Sequence, residues 1–554
     1  MVNYTLDTTD AHRQYLNITL TQSTNDKANL VFQLPAWRPG RYELGNFAKN
    51  VRDFKAQDAK GNSLEVVKKS KDSWFVRTED VNEVTINYNY YANELNAGST
   101  FLSDNLLYVN PINCFMYELG NEQEACAIQI PIKKDQKIAH SFEENSKGSY
   151  LTSSFHDLVD CPFIVSNRLQ CKSYESNKVK FNIWFEGEVK PEWDKLLTDF
   201  KKFTDYQIEK FGSIPVKEFH FLNLISPFSA YHGVEHFKST VIHLGPSYDI
   251  FNRLYTELLG VSSHELYHVW NVKAIRPEEM FPYNYAKENY SQLGYVAEGV
   301  TTYMGDRILF ESKVFDEKQY HKEFLDYVTR HFHNDGRNHY SVAESSYDTW
   351  LDGYVQGVPG RKTSIYVEGC LIAYVCDMRI RKSTEGKKSL HDVMTKMYEL
   401  TNQRVGYSDT IYQETLELIG KTSFQDIFDD MINGTADYKP YLMEALNFEN
   451  KKLVELPTEK ASNWFGLKGI QNKSDYQVKL VLENSSAYES GVVVGDSILA
   501  VNGIPLASDF DKWLSYFYKE DITLSVKRDG RIIQLHLKKA NDYQFYKYTL
   551  ENNK

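Results

Sequence analysis

The spacing of apolar residues changes twice along the chain, and these changes divide it into three parts. The first part contains segments in which apolar residues alternate with polar or β-branched ones, as in half-buried strands: LNITL, NLVFQL, EVTINYNYYA and KVKFNIWFEG. From Pro191 the period becomes helical, and EWDKLLTDFKKFTDYQIEKFG carries large apolar residues at i, i+3 and i+4 spacings up to Gly212. After KKLVELPTEKASN, a polar stretch typical of a linker, the period of two returns.

We therefore predict a multidomain α+β protein. An N-terminal β-sandwich is expected over residues 1–188, a mostly helical domain over 189–452, and a small third domain over 460–545. The length of 554 residues agrees with this division, because a single hydrophobic core does not grow to that size.

Charge and cysteine usage exclude several classes of protein. The net charge of −12 argues against a nucleic-acid binder, which needs a basic surface. No apolar run is long enough to span a membrane, and the first residues lack the basic and apolar regions of a signal peptide. The six cysteines include no CxxC pair and make no disulfide framework. A cytoplasmic location is expected, or a periplasmic or secreted one if a leader has been removed.

The segment Ser263–His268 reads His-Glu-x-x-His, which predicts a metal site. On a helix, residues four apart share one face, so His264 and His268 can bind one Zn²⁺. Glu265 lies beside the metal rather than on it, where it can act as a general base toward water.

A catalytic zinc site needs a third protein ligand, and spacing offers two candidates. Glu288 lies in PYNYAKENY, which is typical of a loop, whereas Glu298 lies in LGYVAEGVTTYMGD, whose apolar positions suit a second helix. Because ligands need rigid placement, Glu298 is favoured and Glu288 remains the alternative.

Two segments around these residues resemble the glycyl aminopeptidase family, gluzincin zinc peptidases with a C-terminal PDZ domain. They are SHELYHVWNVKAIRP and the later AEGVTTYMGD, and the N-terminal run PAWRPGRYELGNFAKNV also resembles the leading domain of that family. The resemblance implies a thermolysin-like catalytic domain with one Zn²⁺ per chain. It also implies an aminopeptidase that removes small N-terminal residues, Gly or Ala, from peptides. The N-terminal run is assigned no chemistry.

The resemblance also implies how substrate is bound. The segment Tyr231–His236 resembles the exopeptidase motif of gluzincin aminopeptidases, with Gly233 and Glu235 at matching positions. There the carboxylate pairs with the free α-ammonium of the substrate and places the first peptide bond over the metal. Glu235 is therefore the expected amine anchor.

A tyrosine further along matches the Tyr-x-x-Gly of the same enzymes. It is Tyr366, followed by Gly369, and the resemblance implies that its hydroxyl stabilises the oxyanion of the transition state. The sequence departs from the usual pattern at Ile365 and Glu368, which stand where a Tyr and a Lys are common.

The third part, containing SSAYESGVVVGDSILAVNGIPL, resembles a PDZ domain. Its loop at Gly466–Gly469 would bind the carboxylate of a peptide or protein C-terminus, although a structural module with an unused groove is the alternative. For the whole chain, a zinc aminopeptidase is predicted. The alternatives are a zinc endopeptidase using the same metal and a non-catalytic PDZ scaffold, which the intact His264, Glu265 and His268 argue against.

Overall fold

The computed structural model describes residues 1–144, 148–355, 357–401, 404–539 and 545–553. Its residue contacts form two compact units. The first comprises Met1–Tyr320, Tyr347–Tyr354 and Leu390–Ile419, and the second comprises His321–Ser346, Val355–Ser389 and Gly420–Lys554. Residues 540–544, near the end of the predicted third domain, lie outside the described residues.

The N-terminal region is β-rich, as predicted. One sheet has its strands in the order Glu143–Glu144, Tyr150–Thr152, Cys126–Gln129, Val2–Asp7, Tyr15–Ser23, Glu83–Tyr91 and Val51–Asp58. A second has the order Tyr117–Glu118, Asn29–Gln33, Ser73–Arg77 and Val66–Lys68, and a third has Lys137–Ala139, Phe163–Ser166, Leu106–Val109 and Phe101–Leu102. Alternate residues of Tyr15–Ser23 are buried, as its period of two predicts.

A mixed sheet crosses the predicted domain boundary at residue 188. Its strands lie in the order Gln170–Ser176, Val179–Gly187, Glu218–Ile225, Ser239–Gly245 and Ala230–Glu235. Val179–Gly187 pairs in parallel with Glu218–Ile225, and such a pair needs a crossover. Helix Trp193–Phe211 provides it and ends at Gly212, whose φ of 77° is left-handed. The sheet therefore joins strands from both sides of residue 188.

Further helices complete the first unit. They are Phe155–Val159, Tyr255–Tyr267, the π-helical turn Tyr295–Val300, Thr301–Glu311, Thr349–Asp352, Leu390–Thr401 and Asp409–Gly420. The last residue of the last helix, Gly420, belongs to the second unit. Helix Tyr255–Tyr267 contacts both Thr301–Glu311 and the strand Ala230–Glu235. The predicted ligand His264 and the predicted base Glu265 lie in helix Tyr255–Tyr267, and His268 follows its last residue. The predicted ligand Glu298 lies in the π-helical turn that leads into Thr301–Glu311, and the predicted amine anchor Glu235 ends the strand.

The second unit is helical at first and then β-rich. Helix Glu317–Phe332 continues into it, as does Val342–Tyr347 up to Ser346. The unit also contains the helices Ile365–Ser383, Gln425–Ile427, Lys439–Phe448, Ala461–Trp464, Ser486–Glu489 and Phe510–Tyr516, with a π-helical turn at Phe428–Ile432. Its last sheet has the order Leu467–Gln471, Tyr476–Val481, Ser497–Val501, Ile522–Arg528 and Arg531–Leu537, and Ile504–Pro505 pairs with Ser497–Val501.

The segment predicted as a linker is a strand followed by a short helix. Lys451–Pro457 pairs antiparallel with Tyr546–Asn552 near the end of the chain, and Ala461–Trp464 follows it. The linker prediction was wrong because the partner strand lies about ninety residues away, so its pairing leaves no local signal. None of the helices in the described part of the chain has the length and apolar content that a bilayer crossing requires.

Candidate active site

The two histidines of the His-Glu-x-x-His segment lie at the end of helix Tyr255–Tyr267. The backbone N–H of His268 still donates to the carbonyl of His264, at 3.3 Å, so both side chains project from one face. Their Nε2 atoms are 3.0 Å apart. Gly305 of the neighbouring helix lies against the backbone of His264, where a Cβ would be 3.2 Å from Cα, and this close approach fixes the histidine-bearing turn.

Glu298 comes from the π-helical turn Tyr295–Val300 that precedes helix Thr301–Glu311. Its Oε2 is 3.5 Å from His268 Nε2 and 3.9 Å from His264 Nε2. Single π turns inside helices occur frequently at functional sites because they reorient one side chain. Glu288 lies in irregular structure and belongs to no such cluster among the residues that the structure describes.

The three side chains fit a zinc ion. Ligands about 2.1 Å from a tetrahedral ion are about 3.4 Å from one another, which is close to the separations between their donor atoms. His268 Nδ1 lies 2.7 Å from the carbonyl oxygen of Asn271 and donates to it, so Nε2 keeps its lone pair for a metal. The side chain of Asn271 in turn donates to the carbonyl of Val296, at 2.8 Å, and joins the two ligand-bearing segments.

The charges of this cluster favour a cation. Burial lowers the pKa of His264 well below its usual value. Burial opposes the protonation of His268, but the carboxylates of Glu298, Glu235 and Glu265 together outweigh it and raise the pKa of His268 to about 9. Burial raises the pKa of Glu265 to about 8. A divalent cation competes with these protons for the same lone pairs and lowers the pKa of each group it approaches.

Glu265 faces the strand Ala230–Glu235. Only glycine fits at position 233 of this strand, because a Cβ there would overlap Glu265 Oε1 and lie 2.8 Å from Val261 Cγ2. Glu265 is buried, and its Oε2 has no hydrogen-bond partner among the described residues. Gly233 thus leaves room for the side chain of Glu265, and the substrate role that the motif implies for Gly233 remains a prediction.

Glu235 ends the same strand and reaches the same place. Its carboxylate, that of Glu265 and an imidazole nitrogen of His268 all lie within 4.8 Å of one another. Glu235 is 4% exposed, and its Oε1 lacks a hydrogen-bond partner within the described part of the chain. A buried carboxylate oxygen without a donor is a strong acceptor for an incoming ammonium group.

Two family models match parts of the chain. Residues 3–167 match the peptidase M61 N-terminal domain, and residues 257–372, which include the candidate metal ligands, match the M61 glycyl aminopeptidase domain. The chain belongs to the M61 glycyl aminopeptidase family. It is therefore a peptidase, and the family predicted from the sequence is confirmed.

One solved structure shows the same fold over the whole chain, and two others are more distant. An aminopeptidase N family protein from Idiomarina loihiensis is 24% identical to this M61 peptidase, with a TM-score of 0.93, over 100% of this chain and 98% of that one. An M1 zinc metallopeptidase from Deinococcus radiodurans is 13% identical with a TM-score of 0.47, over 79% of this chain and 93% of that one. A mutant of an M1 zinc metallopeptidase from the same organism, bound to a Tyr-Ser-Ala substrate, is 12% identical, also with a TM-score of 0.47 and the same coverage. No curated protein matched the chain.

The N-terminal region of this M61 peptidase contributes residues to the candidate site, which the sequence analysis missed. Tyr42 is buried, and its hydroxyl donates to Glu298 Oε1 at 3.1 Å, so that Oε2 is the oxygen facing the histidines. Gly40, with a φ of 76°, lies so close to Glu235 that a Cβ would overlap its Oε2. Both belong to the run PAWRPGRYELGNF. The sequence feature that could have indicated a functional loop here is a tyrosine with arginines and glycines in a segment without strand periodicity.

Tyr366 lies in the second unit. It is half-buried in the first turn of helix Ile365–Ser383, where the Ser364 hydroxyl accepts from the backbone N–H of Val367 at 3.4 Å. Glu368, which departs from the usual pattern, is buried and 2.6 Å from His331 Nδ1, so its charge has a partner within this unit. The role of Tyr366 toward an oxyanion remains a prediction.

Proposed function

We propose that this M61 peptidase is a zinc aminopeptidase in which His264, His268 and Glu298 hold one zinc ion. One observation carries the proposal: the three donor atoms converge next to two buried carboxylates, Glu265 and Glu235, each with an oxygen that lacks a partner among the described residues. A metal centre with an adjacent base and an adjacent ammonium acceptor is what removal of an N-terminal residue requires.

A zinc ion held there supplies Lewis-acid polarisation of water and of the peptide carbonyl. Glu265 accepts a proton from the attacking water at its carboxylate and returns it to the leaving amine nitrogen. Glu235 holds the α-ammonium of the substrate and thereby selects the first peptide bond. Tyr366 keeps the role that its motif implies, donating to the oxyanion, and the family resemblance favours Gly or Ala as the residue removed.

We also propose that the last sheet of the second unit belongs to a PDZ module. Leu467–Gln471 lies at the edge of that sheet, where an added peptide strand can pair, and Gly466 before it has a φ of 79°. Lys468 donates to His333 Nδ1 at 2.7 Å, so one side chain of this strand is already engaged within the unit. Peptide C-termini are the ligands that this module would take.

Metal analysis tests the proposed cofactor. Purified protein should contain about one zinc per chain, and a chelator should remove both metal and activity, because three protein ligands are expected. The chelated protein should also melt at a lower temperature, since a ligand that binds the native state stabilises it, and added zinc should restore both properties. Full peptidase activity in a sample verified to be free of metal would contradict the proposal.

Replacing Glu235 by Ala tests the aminopeptidase assignment. The pair between carboxylate and ammonium contributes roughly 1.5–3 kcal/mol, so kcat/KM for free-amine peptides should fall about 10- to 150-fold. N-acetylated peptides cannot form the pair and should be poor substrates of the parent enzyme, with no further loss in the variant. Equal losses on both kinds of peptide, in a variant that still binds zinc, would favour the endopeptidase.

A further inference from the structure

A cavity of about 360 Å³ opens beside Glu235 in the first unit. The N-terminal loop at Arg38 and Pro39, the helix Phe155–Val159 and the segment from Lys273 to Tyr285 contribute to its walls. Because Glu235 also neighbours Glu265 and His268, it connects the cavity to the candidate metal cluster. A cavity of this size holds far more than the methyl group of alanine.

The cavity wall carries equal numbers of positively and negatively charged side chains. Three are cationic, Arg38, Lys273 and Arg276, and three are carboxylates, Asp157, Asp160 and Glu235. The histidines of the wall, His156 and His236, have pKa values lowered by burial and add no charge at neutral pH.

Two of the carboxylates are already occupied by neighbours. Asp160 accepts from Lys273 Nζ at 2.9 Å, from His236 Nδ1 at 3.0 Å and from the backbone N–H of Phe237 at 2.9 Å. Asp157 accepts from the Ser153 hydroxyl at 2.6 Å. Asp160 therefore neutralises Lys273.

The two arginines have no carboxylate at bonding distance. Arg38 is 4% exposed, and its guanidinium donates to the Pro39 carbonyl and to His232 Nε2, each at 3.2 Å. Arg276 donates to two backbone carbonyls, and its Cζ is 3.9 Å from the centre of the Tyr283 ring. Neither forms an ion pair within the described part of the chain. Arg38 feels the charge of the Glu235 carboxylate, which lies beyond ion-pair distance, and Arg276 is partly buried. A guanidinium held away from water without a bonded anion is costly, which makes it a binding group for an anionic ligand.

A bound substrate changes the charge balance of this cavity. The α-ammonium of a substrate on Glu235 adds one positive charge, and a neutral first side chain leaves that charge uncompensated. An acidic side chain restores the balance. We propose that the cavity is a subsite for the carboxylate of an N-terminal Asp or Glu, which Arg38 and Arg276 bind. The inference rests on the proposed aminopeptidase function and extends its substrates from small residues to acidic ones.

A purely structural role for Arg38 makes a different prediction. The guanidinium lies so close to Gly98 that a Cβ there would overlap it, so Arg38 also helps to hold this loop. Loss of a structural contact weakens cleavage of every substrate alike, whereas loss of an anion-binding group acts on acidic substrates. The ratio between a Glu substrate and the isosteric Gln substrate separates the two roles.

The test compares Glu-, Gln- and Ala-p-nitroanilide on the full-length, zinc-loaded protein. The parent should cleave the Glu substrate with a kcat/KM at least about 10-fold above that of the Gln substrate, since one charge-assisted contact is typically worth about 10- to 150-fold. Arg276→Gln, at a partly buried position, should lower this ratio about 10-fold or more, and Arg38→Gln should do the same if it folds. Arg41→Gln is the matched control, because Arg41 pairs with Glu43 at 2.5 Å and does not line this cavity.

A parent enzyme that cleaves the Ala substrate and prefers Gln to Glu overturns the acidic subsite while leaving the aminopeptidase standing. An unchanged ratio in Arg276→Gln also overturns it, as does the same loss of ratio in Arg41→Gln. If no free-amine substrate is cleaved, the aminopeptidase proposal itself fails. Calorimetric titration with L-glutamate and L-glutamine then decides the subsite alone: tighter binding of glutamate that Arg276→Gln abolishes supports it, and equal binding overturns it.

Discussion

Replacing Glu265 by Gln is expected to lower kcat by at least about 100-fold while leaving zinc bound, because general-base proton transfer commonly contributes 10²–10⁴-fold. Gln has nearly the shape of Glu, so it fits the space that Gly233 leaves for the side chain. It cannot accept a proton from water at neutral pH, whereas the three proposed ligands are untouched. Steady-state kinetics and metal analysis on the same preparation measure both effects.

The exposed carboxylate of Glu188, which lies outside helices and strands, provides the matched control. Glu188→Gln removes one negative charge from the chain, as Glu265→Gln does, and should keep the activity of the parent. Activity within a few-fold of the parent in zinc-loaded Glu265→Gln would mean that another group takes the proton. Loss of zinc in that variant would instead place Glu265 among the ligands.

Replacing Glu298 by Ala should abolish zinc binding, and peptidase activity with it. Loss of a residue that hydrogen-bonds to a metal ligand typically lowers metal affinity about 10- to 100-fold, and removal of the ligand itself should lower it more. The variant also leaves the Tyr42 hydroxyl without the acceptor it has at 3.1 Å. Zinc titration of both proteins, with a competing chelator, measures the difference in affinity.

Glu288→Ala is the counterpart, since Glu288 is the other carboxylate that the spacing offered. It lies in irregular structure away from the histidines, and its loss should leave zinc content and kcat/KM near those of the parent. If Glu288→Ala loses zinc and Glu298→Ala retains it, the assignment of the third ligand is wrong.

Those parts of the fold that depend on local periodicity were predictable from the sequence. Helix Trp193–Phe211 has a clear 3.6-residue pattern and a glycine after its end, and strand Glu218–Ile225 is rich in large apolar residues. His264 and His268 were predictable for the same reason, because their spacing of four is itself a helical period. The predicted residues of the metal cluster lie together in the structure.

The remaining features depend on contacts between distant residues. Tyr42 hydrogen-bonds to Glu298, 256 positions later in the sequence, and strand Lys451–Pro457 pairs with a strand near the end of the chain. The π-helical turn at Glu298 adds a residue to one turn of an otherwise helical pattern, which apolar spacing does not reveal. Neither a hydrogen bond of this range nor a widened turn changes the local composition, so one sequence could not predict them.

The bond from Tyr42 to Glu298 has a consequence for how such an enzyme can evolve or be rebuilt. Because the β-rich N-terminal region and a helical region each supply residues to the candidate metal cluster, neither can be exchanged for the equivalent piece of a distant relative without a matching change in the other. A fragment that begins after residue 188 would keep the two histidines and lose the hydroxyl that orients their carboxylate neighbour. The part of this chain that must be kept together for the site to form is therefore larger than the segment that contains the His-Glu-x-x-His motif.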